Sequence, residues 1–68
     1  MGLPVDRLAN VEDVAQWART TVPALYAQRQ RGEAPGALAV KIGRRLLWRP
    51  EDLEAWLERQ AAGSRGVA

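Results

Sequence analysis

Neither cysteine nor histidine occurs anywhere in these 68 residues, and that absence bounds the fold more tightly than any other feature. A chain of this length buries only about 60% of the surface that its unfolded form exposes. Small domains commonly make up the shortfall with disulfides or a structural zinc. Here a disulfide is ruled out, and so is zinc held by Cys and His. The fold must rest on packing, on helix capping and on whatever a partner adds. One domain is the limit at this length. With no long apolar run and no signal-peptide pattern, a cytoplasmic protein is expected.

The same absence thins the catalytic choices. There is no His or Cys to act as base or nucleophile, and no Gly-rich phosphate loop of known form. The acids fall mainly at helix starts, where the helix dipole accounts for them. Neither an enzyme nor a cofactor is expected.

Charge is unevenly placed. The net charge is only +2. Between residues 29 and 49, however, Arg29, Arg31, Lys41, Arg44, Arg45 and Arg49 stand against Glu33 alone, a balance of +5. Between 50 and 60, Glu51, Asp52, Glu54 and Glu58 stand against Arg59, a balance of −3. A cationic middle dominated by Arg points to an anionic partner there, since the guanidinium fork matches phosphates and guanine edges.

Periodicity divides the chain into short elements. Asn10 is a good N-cap, followed by Glu12 and Asp13 in a first turn. Val11, Val14, Ala15 and Ala18 then share a face, with Trp17 at its border, so a helix is expected to end near Ala18. Arg19, Thr20 and Thr21 form a turn. Thr21 caps a second helix, Pro23 sits in its first turn, and Gly32 ends it. On this helix Val22, Leu25, Tyr26 and Arg29 are read as one face. Helix, short turn, helix is the helix-turn-helix pattern.

A loop through Ala34-Pro35-Gly36 follows. Leu38, Val40 and Ile42 alternate with Ala39 and Lys41 at strand spacing. Gly43-Arg44 suits a two-residue II′ turn, and residues 45 to 49 return with Leu46 and Trp48 on one face. Pro50 opens a last helix, with Leu53, Trp56 and Leu57 as its apolar stripe and Gly63 as its stop. The expected core is Val11, Val14, Trp17, Ala18, Val22, Leu25, Leu38, Val40, Ile42, Leu46, Trp48, Leu53, Trp56 and Leu57. The domain is expected over residues 8–60, with flexible termini at 1–7 and 61–68. The fold class is mainly α with a β-hairpin, in the order of a winged helix-turn-helix.

Particular residues sharpen this. The opening Asn10-Val11-Glu12-Asp13-Val14-Ala15 is followed by Leu25-Tyr26 with Arg29, Gly32 and Pro35. Val40-Lys41-Ile42-Gly43-Arg44-Arg45 and Trp48-Arg49 come next, closing on Glu51-Asp52-Leu53-Glu54-Ala55-Trp56-Leu57. Over about residues 8 to 59 this resembles the small excisionases and AlpA-type regulators, compact relatives of the MerR DNA-binding domain. Two positions depart from that pattern: Gln28 stands where the family often has Trp, and Ala24 where it often has Thr.

The resemblance implies a DNA-binding job of one of two kinds. An excisionase (a recombination directionality factor) binds and bends attachment-site DNA, often in several copies, and turns an integrase toward excision. An AlpA-type member regulates transcription. The domain fills most of the chain, which favours the excisionase. A winged helix that binds only protein is the further alternative.

The expected geometry lays the second helix in the major groove and the hairpin tip over the neighbouring backbone or minor groove. The DNA-facing set is Thr21, Pro23, Ala24, Tyr26, Ala27, Gln28, Arg29 and Arg31 on the helix, with Lys41, Arg44, Arg45 and Arg49 on the hairpin. Gln28 suits adenine and Arg31 suits guanine or phosphate. Thr21 serves as an N-cap and as a phosphate donor together. Tyr26 is either a phosphate contact or a core-edge residue, and Arg29 either a DNA contact or a brace for the hairpin. Lys41 has the plainer reading of an edge-protecting cation. A single module of this size suggests head-to-tail copies on DNA, the acidic last helix of one meeting the basic face of the next.

Overall fold

The computed structural model describes residue 3 and residues 7–65. The described chain holds three α-helices, α1 (Val11–Trp17), α2 (Val22–Arg31) and α3 (Pro50–Arg65), and two strands, β1 (Val40–Ile42) and β2 (Arg45–Leu47). A single 3-10 turn, Gly36–Leu38, lies between α2 and β1. The strands form one antiparallel hairpin. The architecture is that of a winged helix-turn-helix.

Local chemistry explains the helix ends. Asn10 closes a capping box: its side chain accepts from Asp13 N–H at 2.8 Å, and Asp13 accepts from Asn10 N–H at 3.1 Å. Thr21 Oγ1 accepts from Ala24 N–H at 3.2 Å at the start of α2. Both caps satisfy amide donors that the first helical turn leaves free.

The two helices end alike. After α1, Arg19 N–H donates to the Gln16 carbonyl at 3.3 Å and Thr20 N–H to Ala15 at 2.9 Å. After α2, Gly32 N–H donates to Arg29 at 3.2 Å and Glu33 N–H to Gln28 at 2.8 Å. This Schellman closure needs one left-handed residue. Gly32 takes that role at φ +72°, but Arg19 takes it at φ +56°. Left-handed backbone costs an L side chain about 1–2 kcal/mol. Arg19→Gly is therefore expected to stabilise the domain. Glycine's extra freedom in the unfolded chain offsets part of the gain, leaving about 0.5–1 kcal/mol. In a thermal melt followed by circular dichroism, Tm should rise by roughly 3–6 °C. A lower Tm would show that the Arg19 side chain supports the fold.

The buried core is Ala9, Val14, Ala15, Leu25, Leu46, Trp48 and Leu53. Trp48 and Leu53 are fully enclosed, while Trp17 and Trp56 meet at 6.1 Å between ring centroids near the surface. Ala9 and Ala15 were not expected there. Ala9 enters because it pairs with Trp48 through two backbone bonds of 2.8 and 2.9 Å, tying the segment before α1 to the end of the hairpin.

Three expected core residues lie outside. Val40 is 43% exposed, Ile42 50% and Leu57 47%. For the strand pair the reason is register. Ile42 pairs with Arg45, Lys41 with Leu46 and Val40 with Leu47. Directly paired residues project to the same face of a sheet. Leu46 is buried, so its face carries Lys41, and Val40 and Ile42 fall on the other. Leu57 lies outside because α3 leaves the core after its first turns: Leu53 is buried and Trp56 half-buried, whereas residues 57–60 are exposed.

Further bounds move. Leu38 belongs to the 3-10 turn, and β1 begins at Val40. β2 ends at Leu47, and Trp48 pairs with Ala9 instead. Helix α3 runs through Gly63 to Arg65. Of the expected flexible ends, 1–2, 4–6 and 66–68 lie outside the described residues, and Leu3 packs on the core.

Candidate nucleic-acid interface

The rotational phase of α2 is set by Leu25, which is fully buried. At 100° per residue, that places Val22, Gln28 and Arg29 inward and Pro23, Tyr26, Ala27 and Gln30 outward. Pro23, Tyr26 and Gln30 are exposed. Tyr26 is 46% exposed. It does not share the inner face with Val22 and Leu25. Gln30, which was not anticipated, belongs to the outward row. Its spacing of four from Tyr26 and seven from Pro23 was the available signal.

Two polar side chains expected at DNA are used inside the domain. The Gln28 side-chain carbonyl accepts from Gly36 N–H at 3.0 Å. It sits where the resembling family often has Trp, and it holds the loop against α2. The Arg29 guanidinium donates to the Ala39 carbonyl at 3.1 Å, just before β1. Arg29 is thus the brace of the hairpin. Both set the position of the hairpin relative to α2.

A cleft of about 400 Å³ lies between the outer face of α2 and the hairpin. It is lined by Tyr26, Arg29, Gln30, Lys41, Arg44 and Leu46. A second depression shares Tyr26, Arg44 and Leu46 and continues to Arg45 and to the first turn of α1 at Glu12. The register puts Lys41 on the cleft side of the hairpin, and Gly43 at φ +62° turns the chain so that Arg44 stands at the tip. Four cations therefore border one continuous surface, against the single carboxylate of Glu12.

The other two arginines are paired. Arg31 Nε donates to Glu33 at 2.9 Å across an exposed ion pair. Such a pair contributes less than about 1 kcal/mol, so phosphate competes with it readily. Arg49 forms two bonds to Asp52, of 2.9 and 2.8 Å, at the start of α3. Those bonds raise the Arg49 pKa and hold the Asp52 carboxyl below its usual range. This pair too is largely exposed, so it orients Arg49 toward the helix start without removing it from solvent. Thr21 caps α2, with Ala24 half-buried above it.

Among the described residues no group of three or more His, Cys, Asp or Glu is placed to hold a metal ion. No described helix is long and apolar enough to cross a membrane.

The fold and the cleft define a small helix-turn-helix protein with a basic hairpin beside its second helix. The family model described as "Helix-turn-helix domain" matches residues 10–61. The chain belongs to that family, which includes small DNA-binding proteins of the excisionase and AlpA kind. No curated protein and no solved structure matches the chain.

Proposed function

We propose that this domain binds duplex DNA as an excisionase, bending attachment-site DNA so that an integrase runs toward excision. One observation carries the reading: the outer face of α2 and an acid-free, Arg-tipped hairpin border the same cleft. In the proposed complex, Tyr26, Gln30 and Ala27 approach the major groove, with Thr21 and Pro23 at the adjoining backbone. Lys41, Arg44 and Arg45 meet phosphates beside the neighbouring minor groove. Arg31 joins them on leaving Glu33. The domain works by binding and not by catalysis.

Single DNA-binding modules cover roughly 600–1,000 Å², so several copies in a row supply the specificity. Head-to-tail contact is supported by charge: Glu51, Glu54 and Glu58 are exposed on α3, opposite in sign to the cleft.

The test is a gel shift and footprint on DNA from the gene's own neighbourhood, with random duplex as competitor and salt varied. A ladder of bands over a bounded, repeated site beside an attachment sequence is expected. Protection confined to a promoter would make it a transcriptional regulator. Arg44→Ala with Arg45→Ala should weaken binding to all sequences alike, by about 10- to 100-fold, and lower the salt slope by about 2. An unchanged affinity and slope would remove the hairpin from the interface. No DNA binding at any salt would point to a protein partner.

A further inference from the structure

The described hairpin exposes an apolar row on the face turned away from the core. Ile42 is half exposed, Val40 nearly so, and Leu47 lies beside Val40 across the ladder. An exposed branched side chain at a strand end is ordinary by itself. This one sits in an unusual place. It is the last residue before the Gly43-Arg44 turn, and its ladder partner is Arg45. Arg44 and Arg45 form no ion pair among the described residues, and no acid occurs between Glu33 and Glu51. A protein partner for this row would have to accept two desolvated guanidinium groups beside it. The charge selects a polyanion, and the row then needs an apolar surface within that polyanion. Duplex DNA offers one, in the sugar walls and base steps of the minor groove.

Resting on the DNA-binding reading above, we propose that Ile42 is an apolar wedge, carried into the minor groove by Arg44 and Arg45, that opens a base step and kinks the duplex. The arginines bind the rims by charge. Ile42 presses on the stack between them. Apolar side chains used this way bend DNA by roughly 20–90° toward the major groove. Flexible pyrimidine–purine steps yield at the lowest energy. The wedge therefore selects TA and CA steps at positions that α2 does not touch.

Ile42→Thr is the informative variant. It keeps the β-branch that suits a strand and removes the apolar tip. Its Tm should match wild type, since Ile42 lies outside the core. The experiment uses the full chain and a duplex carrying the site found by footprinting. End-labelled fluorophores report the bend, and 2-aminopurine at the candidate step reports unstacking. Wild type is expected to bend the duplex and brighten 2-aminopurine. Ile42→Thr should lose both signals at saturation, weaken binding about 3- to 10-fold and leave the salt slope unchanged. Arg44→Ala with Arg45→Ala should lower the slope instead. If wild type binds the site and Ile42→Thr bends and brightens it equally, the wedge is overturned while the DNA-binding reading stands. If wild type binds no duplex, both fall.

Discussion

Trp48→Ala is expected to leave the chain unfolded at room temperature. Trp48 is fully buried and joins four parts of the domain. Its backbone pairs with Ala9 ahead of α1, its ring lies in the core with Leu25 and Leu53, and its indole N–H donates to the Pro35 carbonyl at 2.8 Å. Removing a buried Trp side chain costs about 3–5 kcal/mol. A core of this size supplies about 3–5 kcal/mol in total, and no disulfide or Cys/His zinc site is there to offset the loss. The far-UV circular dichroism spectrum should lose its helical minima and the cooperative melt should vanish. Trp48→Phe should still fold, with a lower Tm. It keeps most of the apolar volume, and the Pro35 carbonyl retains its second donor, Leu38 N–H at 3.1 Å. A Trp48→Ala protein melting within a few degrees of wild type would mean that the core lies elsewhere.

Gly36→Ala is the second large effect. Gly36 needs no left-handed backbone; it needs closeness. A methyl group there would overlap the Leu25 carbonyl oxygen and sit 2.7 Å from Gln28 Cβ and 3.0 Å from the Arg29 amide nitrogen. The oxygen and the amide are backbone of α2 and cannot swing aside. The loop would have to lift from the helix. With it would go the Gln28–Gly36 bond, the Arg29–Ala39 brace and the seat of Trp48 against Pro35. Overpacking and the lost bonds together cost about 3 kcal/mol or more. A denaturant titration should show most of the stability gone. Because the same bonds hold the hairpin beside α2, any folded fraction should bind DNA weakly. Gly63→Ala is the control. Open space surrounds Gly63, so alanine there should stabilise α3, by up to about 1 kcal/mol. Equal behaviour of the two variants would refute the close-contact account of Gly36.

Much of this architecture follows from short-range rules. Asn10 and Thr21 each accept from an amide three residues on. Gly32 closes α2, and Pro50 with its following acids opens α3. The outward position of Val40 and Ile42 also follows from a short-range rule. A two-residue Gly43-Arg44 turn pairs Ile42 with Arg45, so a core face holding Leu46 and Trp48 has no room for Ile42. The two expectations conflicted, and the turn was the stronger constraint.

The candidate interface was legible as a set of elements but not as a set of side chains. Lys41 and Arg44 border the cleft, and Arg45 the depression that adjoins it. In the structure Gln28 accepts from Gly36, Arg29 donates to Ala39 and Arg49 pairs with Asp52.

The sequence by itself determined the order of the elements, their caps and turns, and the basic hairpin beside the second helix. Each depends on groups within a few residues of one another, where chain connectivity brings the partners together. Only the tertiary structure decided which polar side chains are free. Gln28 meets Gly36 eight residues on, Arg29 meets Ala39 ten on, and Trp48 meets Pro35 thirteen back. Such pairings exist only once the loop has settled on α2, and a buried amide or carbonyl then claims whichever donor or acceptor lies within reach.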